Sequence, residues 1–156
     1  MEYTNKHLQA SFYNRKMFES YLNGLSLQDL FKIPNGYRNN IVWQVGHIIS
    51  VQQQLVYLRS GLPLKIPVEF SKKYGRGSTP DEVINEEDFN EIKSLLFNPI
   101  EELEKDLQSN IFENYEPLTT LPGMVLSNVN DALEFNNFHD TIHLKRCEAL
   151  KQAIIS

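Results

Sequence analysis

The sequence contains a single cysteine, Cys147, among its 156 residues. One thiol cannot form an internal disulfide, so packing has to stabilise the fold, as in proteins of a reducing compartment. Charged residues interrupt the N-terminal segment, which argues against a secretory signal, and no apolar run reaches the ~18 residues that a membrane span needs. We therefore expect a cytoplasmic protein with no membrane partner.

Basic residues are scarce relative to acidic ones. The chain has 15 Lys and Arg against 20 Asp and Glu, and its formal net charge at pH 7 is -5. Such a protein repels phosphate backbones, and no stripe of Lys and Arg offsets this repulsion locally. Nucleic acid is therefore not an expected partner. The sequence also lacks a Gly-rich phosphate-binding loop and a convincing Ser/His/Asp set.

The alternation of apolar and polar residues that is typical of strands is missing, as are internal repeats and any composition shift that would mark a linker. We expect a single all-α domain over residues 1–156. Apolar residues recur instead with helical periodicity in four segments. These predicted helices cover residues 5–23, 41–60, 86–109 and 128–154.

The apolar faces of the predicted helices differ in width. The stripe of the first helix consists of Ala10, Tyr13, Met17 and Tyr21, flanked by Phe18 and Leu22. That of the fourth consists of Phe135, His139, Ile142, Leu150 and Ala153. The second helix is apolar nearly all round, which predicts burial on most sides. Asn40 is its predicted N-cap, and Gly61 and Pro63 end it.

Pro99 lies inside the third predicted helix. The apolar stripe keeps its register through the proline, so we predict one helix that is kinked between residues 95 and 99. A full break is the alternative, because Asn98 followed by Pro99 also fits the start of a new helix.

The connection between the second and third predicted helices is roughly 25 residues long, enough to traverse a whole helix. The fold prediction is therefore a four-helix bundle, up-down-down-up, with a long connection between helices 2 and 3. A capping-box pattern covers residues 79–82. We interpret residues 72–76 as a solvated loop, or alternatively as a basic lip that receives an anionic substrate.

Histidines within two of the predicted helices carry the candidate chemistry. His139 and His143 are four residues apart, so their side chains leave the same helix face and can share one ion. His47 lies near the middle of the second helix. Taken singly, these residues are more often surface pairs or satisfied core histidines, but three imidazoles within buried helices are costly without a partner. We therefore predict an open metal site formed by His47, His139 and His143.

Residues 139–143 also resemble the His-Glu-x-x-His helix of zinc proteases, with Asp140 in place of the glutamate. Those enzymes use the longer acid as general base and take a third ligand from downstream. Here none of the 13 residues after His143 is a histidine. This pattern therefore does not favour a protease.

Several neighbours of the histidines have two readings. Gln44, Gln54 and Asn136 either orient ligands and substrate or lie on solvated faces. Gly46 is interpreted as a site of close helix packing, and Cys147 as a small interior residue.

Residues 39–47 and 136–143 resemble two signatures of the DinB/YfiT-like family. In its second helix a Trp and a small residue precede a metal-binding His, as Trp43 and Gly46 precede His47. Its last helix carries a His-x-x-x-His motif. The resemblance covers essentially the whole chain and implies a helical bundle, a homodimer, and a zinc, nickel or similar divalent ion held by the three histidines. Asp140 departs from the glutamate more often found there, which leaves its acid-base role open.

Relatives in this family include S-transferases and isomerases that use low-molecular-weight thiols. The resemblance thus implies a metal-dependent hydrolase or thiol-dependent transferase that acts on a small molecule. Two alternatives remain: a non-catalytic protein that binds metal or ligand, and a structural homodimer whose histidines fill a polar gap. Three imidazoles suit zinc, nickel, copper and iron alike, so the sequence does not choose the metal.

Overall fold

A computed structural model describes residues 2–80 and 83–156, and this part of the chain is predominantly helical, as predicted. Its helices are α1 (Lys6–Gly24), α2 (Leu27–Phe31), α3 (Ile41–Val56), a 3-10 helix (Leu58–Ser60), α4 (Val68–Lys73), α5 (Glu86–Leu95), α6 (Asn98–Gln108) and α7 (Val129–Ile155). The predicted capping box includes Asp81 and Glu82, which lie outside the described residues.

Asparagine side chains start the three longest helices. The side chain of Asn5 accepts hydrogen bonds from the first turn of α1, and Asn128 does the same at α7. Asn40 Oδ1 accepts from the backbone amide of Trp43 at 2.9 Å, which confirms the predicted N-cap of α3. Each cap satisfies amides that have no acceptor within the helix.

The third predicted helix is divided in two. α5 and α6 are separated by Leu96 and Phe97, which both keep right-handed helical dihedral angles. Pro99 lies in the first turn of α6, where a missing amide hydrogen breaks no intrahelical bond. The prediction of one kinked helix was therefore wrong. The alternative start also differs in detail, because the N-cap of α6 is Phe97 rather than Asn98.

A short antiparallel pair adds to the helices. β1 (Leu118–Thr119) pairs with β2 (Val125–Leu126), with Leu118 opposite Leu126. Strands of two residues are too short to show an alternating pattern, and the five-residue α2 and six-residue α4 are too short for a helical stripe. The sequence prediction therefore missed all four elements, and the chain is not purely helical.

α3 lies at the centre of the core and is buried on nearly all sides, as predicted. Its most extensive contacts are with α7, which also packs against α1. This packing brings the middle of α3 beside the middle of α7. The up-down-down-up order of a four-helix bundle stays a prediction. Within the described residues, no helix combines the length and the apolar composition that crossing a membrane requires.

The predicted inner faces of α1 and α7 were right only in part: Phe18, Leu22 and Leu150 are buried, but other predicted residues are not. Tyr13 and Met17 are 62% and 53% exposed. The buried residues of α1 are Leu8, Ser11, Arg15, Phe18 and Leu22. The buried residues of α7 are Ala132, Leu133, Asn136, Asp140, His143, Leu144, Cys147 and Leu150. Polar and charged side chains belong to both buried faces, so a search for apolar stripes found only part of each.

Candidate metal centre

The imidazoles of His47, His139 and His143 converge where α3 meets α7. One ring nitrogen from each lies within 4.8 Å of the others. His139 Nε2 is 3.0 Å from His143 Nε2. The ring centroid of His47 lies 4.7 Å from that of His143 and 5.3 Å from that of His139. The structure thus brings together all three residues that the sequence selected.

His47 is held from two sides. Its Nδ1 lies 2.8 Å from the backbone carbonyl oxygen of Tyr74. Since a carbonyl oxygen only accepts, Nδ1 carries the hydrogen, and Nε2 keeps a lone pair for an ion. The indole of Trp43 stacks on the imidazole with 4.5 Å between ring centroids and 13° between planes, and its Nε1 donates to Ser78 Oγ at 2.9 Å. These contacts fix both the tautomer and the plane of the ring.

The carbonyl that holds His47 depends on a close approach at Gly46. A Cβ atom built on Gly46 would lie 2.5 Å from two ring atoms of Tyr74, which confirms the predicted packing role of this glycine. Tyr74 is only 4% exposed, so the prediction of a solvated loop at residues 72–76 was wrong at this position. Sequence reasoning missed Tyr74 because a backbone carbonyl acceptor leaves no mark on residue type. Gly46, which directly precedes His47, was the one sequence feature that indicated a close approach of another segment at this point.

His143 is held by Gln44. Its Nδ1 makes a short hydrogen bond with Gln44 Oε1, while Gln44 Nε2 donates to Asn39 Oδ1 at 2.6 Å. The second bond fixes which end of the amide faces the imidazole, so His143 Nδ1 carries the hydrogen and Nε2 is left with a lone pair. Gln44 therefore orients the ring, one of the two readings of the sequence. Gln54 bonds instead to Ser50 and Ser71.

The His139 and His143 rings provide a test of whether a cation fits. Because His143 carries its hydrogen on Nδ1, its Nε2 presents a lone pair toward His139 Nε2 at 3.0 Å. This contact is a hydrogen bond when His139 carries its hydrogen on Nε2, and in the other tautomer two lone pairs face each other and can share an ion. Ligand nitrogens around a four-coordinate ion are about 3.4 Å apart. With one ring nitrogen of each histidine within 4.8 Å of the others, the residues present fit a divalent ion.

Burial keeps the three imidazoles neutral. It lowers the pKa of His47, His139 and His143, to about 3 for His139, because a charged ring loses its hydration in the core. Mutual repulsion among the histidines and the positive charge of Arg146 lower the pKa of His139 and His143 further. Neutral imidazole is the form that binds metal ions, so the site is in its binding form at neutral pH.

A buried charged pair behind the site was not predicted. Arg15 of α1 is 1% exposed, and its Nη2 lies 3.3 Å from the Ile48 carbonyl oxygen and 3.4 Å from Gln52 Oε1. Asp140 is fully buried; burial raises its pKa to about 7, although the nearby Arg15 opposes that rise. Asp140 does not belong to the three-histidine cluster found among the described residues. Its interactions instead link α7 to α1.

Two other residues selected from the sequence, Asn136 and Cys147, are buried in the interior. Asn136 is fully buried, and its Nδ2 lies 3.5 Å from Asp140 Oδ2. Cys147 is fully buried in the hydrophobic core, and burial raises the pKa of its thiol well above the usual value. The thiol is therefore protonated at neutral pH, in agreement with the predicted interior role.

The fold and the site define a helical protein with three converging histidines on two packed helices. The sequence profile of the DinB superfamily matches residues 13–146, which is most of the chain. The chain therefore belongs to the DinB superfamily, and the resemblance seen in the sequence is confirmed. No curated protein matches the chain.

Proposed function

We propose that this protein is a metal-dependent enzyme in which His47, His139 and His143 hold one divalent ion, most suitably zinc or nickel. The observation that carries the proposal is the state of the three buried imidazoles. Hydrogen bonds to Tyr74 and Gln44 place the hydrogen of two rings on Nδ1 and leave their Nε2 lone pairs for an ion. Three protein ligands leave a position open, as in catalytic rather than structural metal sites.

The proposed reaction class is hydrolysis or transfer to a low-molecular-weight thiol. When bound, the ion supplies a Lewis acid that lowers the pKa of a water or thiol at the open position. The chain supplies orientation: Tyr74 and Gln44 keep the two imidazoles from turning, and Trp43 covers one face of His47. The buried surroundings exclude bulk water, which strengthens the interaction of the ion with a bound group.

A non-catalytic protein that binds metal or ligand is the second candidate. One observation favours it: Asp140, the carboxylate adjacent in sequence to a ligand, interacts with Arg15 and Asn136. No acid-base role is therefore assigned to it. We also propose an up-down-down-up bundle and a homodimer, in line with the sequence prediction. Light scattering that gives the mass of one chain at micromolar concentration would rule out the dimer.

The metal assignment is tested on untagged protein by elemental analysis after zinc or nickel loading and dialysis. We expect about one ion per chain for the wild type and less than a tenth of that for His139→Ala, because two imidazoles rarely retain an ion. His7→Ala is the matched control, since His7 lies outside the cluster, and it should keep full stoichiometry. Full metal retention by His139→Ala would refute the assignment.

Loaded wild-type protein then separates the two candidate functions. It is assayed with activated esters, and with electrophiles in the presence of cysteine or another small thiol. Turnover that disappears in His139→Ala and persists in His7→Ala supports an enzyme. Stoichiometric metal without turnover of either substrate class supports the binding protein.

A further inference from the structure

Arg146 is placed beside the candidate metal centre by the register of α7. It follows His143 by three residues and His139 by seven on one continuous helix, so its side chain leaves the same face as theirs. It is also close enough for its charge to act on all three imidazoles. Unlike the ligands it is exposed, so it lies at the rim rather than in the interior.

The guanidinium of Arg146 is available to a ligand. Among residues 2–80 and 83–156 it forms neither an ion pair within 4.0 Å nor a side-chain hydrogen bond. Two cations of the neighbouring connection are paired: Lys72 with Glu69, and Lys73 with Asp88. The two lysines of the basic lip considered from the sequence are thus paired, whereas Arg146 on α7 remains available beside the three histidines.

The same rim has an apolar part. Phe135 and Ile142 are half-buried and flank His139 on the face that ends at Arg146. The ring of Phe135 lies 6.3 Å from that of His139. Ile142 and Arg146 are four residues apart, which corresponds to about 6 Å along a helix. A chain of four to six carbon atoms covers that length.

We propose that the candidate metal site takes a small organic carboxylate, whose anionic group pairs with Arg146 and whose apolar part lies against Ile142. This inference rests on the proposed function, because it names the substrate class of that site. The planar guanidinium matches a carboxylate with two parallel hydrogen bonds. A divalent ion among three neutral imidazoles adds positive charge and attracts the same anion.

The test compares three probes: hexanoate, hexanamide, which has the same tail without the charge, and inorganic phosphate, which has charge without a tail. Dissociation constants are measured by NMR chemical-shift titration on wild-type protein, on Arg146→Gln and on Lys145→Gln. Lys145 is the matched control, because it is an exposed cation on the adjacent position of α7. Elemental analysis of each sample reports its metal content.

We expect the wild type to bind hexanoate about tenfold more tightly than hexanamide or phosphate, as a charge-assisted hydrogen-bond pair supplies. Arg146→Gln should reduce the preference over hexanamide to less than about twofold, while Lys145→Gln preserves it. An unchanged preference in Arg146→Gln overturns the role of this residue, and phosphate binding as tight as hexanoate binding overturns the organic class. A metal-free sample that still shows the Arg146-dependent preference supports the role of Arg146 even if the loading experiment refutes the metal assignment, so the two failures are distinguishable.

Discussion

Replacing Gly46 by alanine tests whether the contact between α3 and Tyr74 positions His47. The added Cβ would lie 2.5 Å from the Tyr74 ring, whereas ordinary contacts begin at 3.4 Å, so the ring has to retreat by about 0.9 Å. Tyr74 is buried beside Phe70, with 4.7 Å between the ring centroids, and its own backbone carbonyl accepts the hydrogen bond from His47. Moving the ring therefore disturbs the group that orients the ligand.

Two opposing terms set the size of the effect. Overpacking a core costs about 1–3 kcal/mol, whereas alanine in place of glycine within a helix contributes up to about 1 kcal/mol. We expect Gly46→Ala to lower the free energy of unfolding of the metal-free protein by about 1–2 kcal/mol. Loss of the oriented hydrogen bond should weaken zinc binding about 10- to 100-fold.

Urea unfolding measures the stability term, and competition with a chromophoric chelator measures the zinc dissociation constant. Gly24→Ala is the control, because a Cβ at Gly24 meets nothing within 4 Å. In a Tyr74→Ala background the ring is gone and the carbonyl remains, so adding Gly46→Ala should cost little there. If Gly46→Ala alone were more stable than the wild type and bound zinc equally well, the positioning argument would be wrong.

The buried charge on α1 and the pH dependence give two further predictions. Arg15→Met should lower the free energy of unfolding by about 1–3 kcal/mol in urea, because the Ile48 carbonyl and Gln52 lose a buried donor and Asp140 loses a nearby cation, and adding Asp140→Leu should recover part of that loss. If the single variant Arg15→Met lost no more unfolding free energy than the exposed-site control Lys6→Met, this prediction would be wrong. Metal-free protein should also lose stability as pH falls below 6.5, since unfolded histidines take up protons there while folded His139 stays neutral down to about pH 3. Asp140 acts in the opposite direction, because its raised pKa makes the folded chain take up a proton from about pH 7 downward. The difference in pH slope between wild type and His139→Gln isolates the histidine contribution, up to about 1.4 kcal/mol per pH unit, and identical slopes would exclude it.

Much of the site could be predicted because its signals are local. The four-residue spacing of His139 and His143 fixes their common face whatever the rest of the fold does. The all-round apolar composition of α3 predicted its central position, and that position brings His47 against α7. Asn40 marked the start of α3 through the hydrogen bond that its side chain offers to an N-terminal amide.

The missed features depend on partners that are distant in sequence. Arg15 reads as a surface cation until α7 places Asp140 near it, and this error shifted the predicted inner face of α1 toward Tyr13 and Met17. Likewise, the stripe that continues through Pro99 is compatible with one kinked helix or with two helices. The structure has two helices, α5 and α6, and the apolar periodicity alone does not distinguish these two possibilities.

The pairing of Gln44 with His143 joins residues that are 99 positions apart in the chain. During synthesis, a segment that ends after α3 contains one ligand, His47, and Gln44, whose partner His143 has not yet been made. A single imidazole binds a metal ion only weakly. The proposed three-histidine site forms only when α7 packs against α3. Under the proposed function, we therefore expect metal uptake only after the helical core has formed, so that metal loading reports on the completed fold.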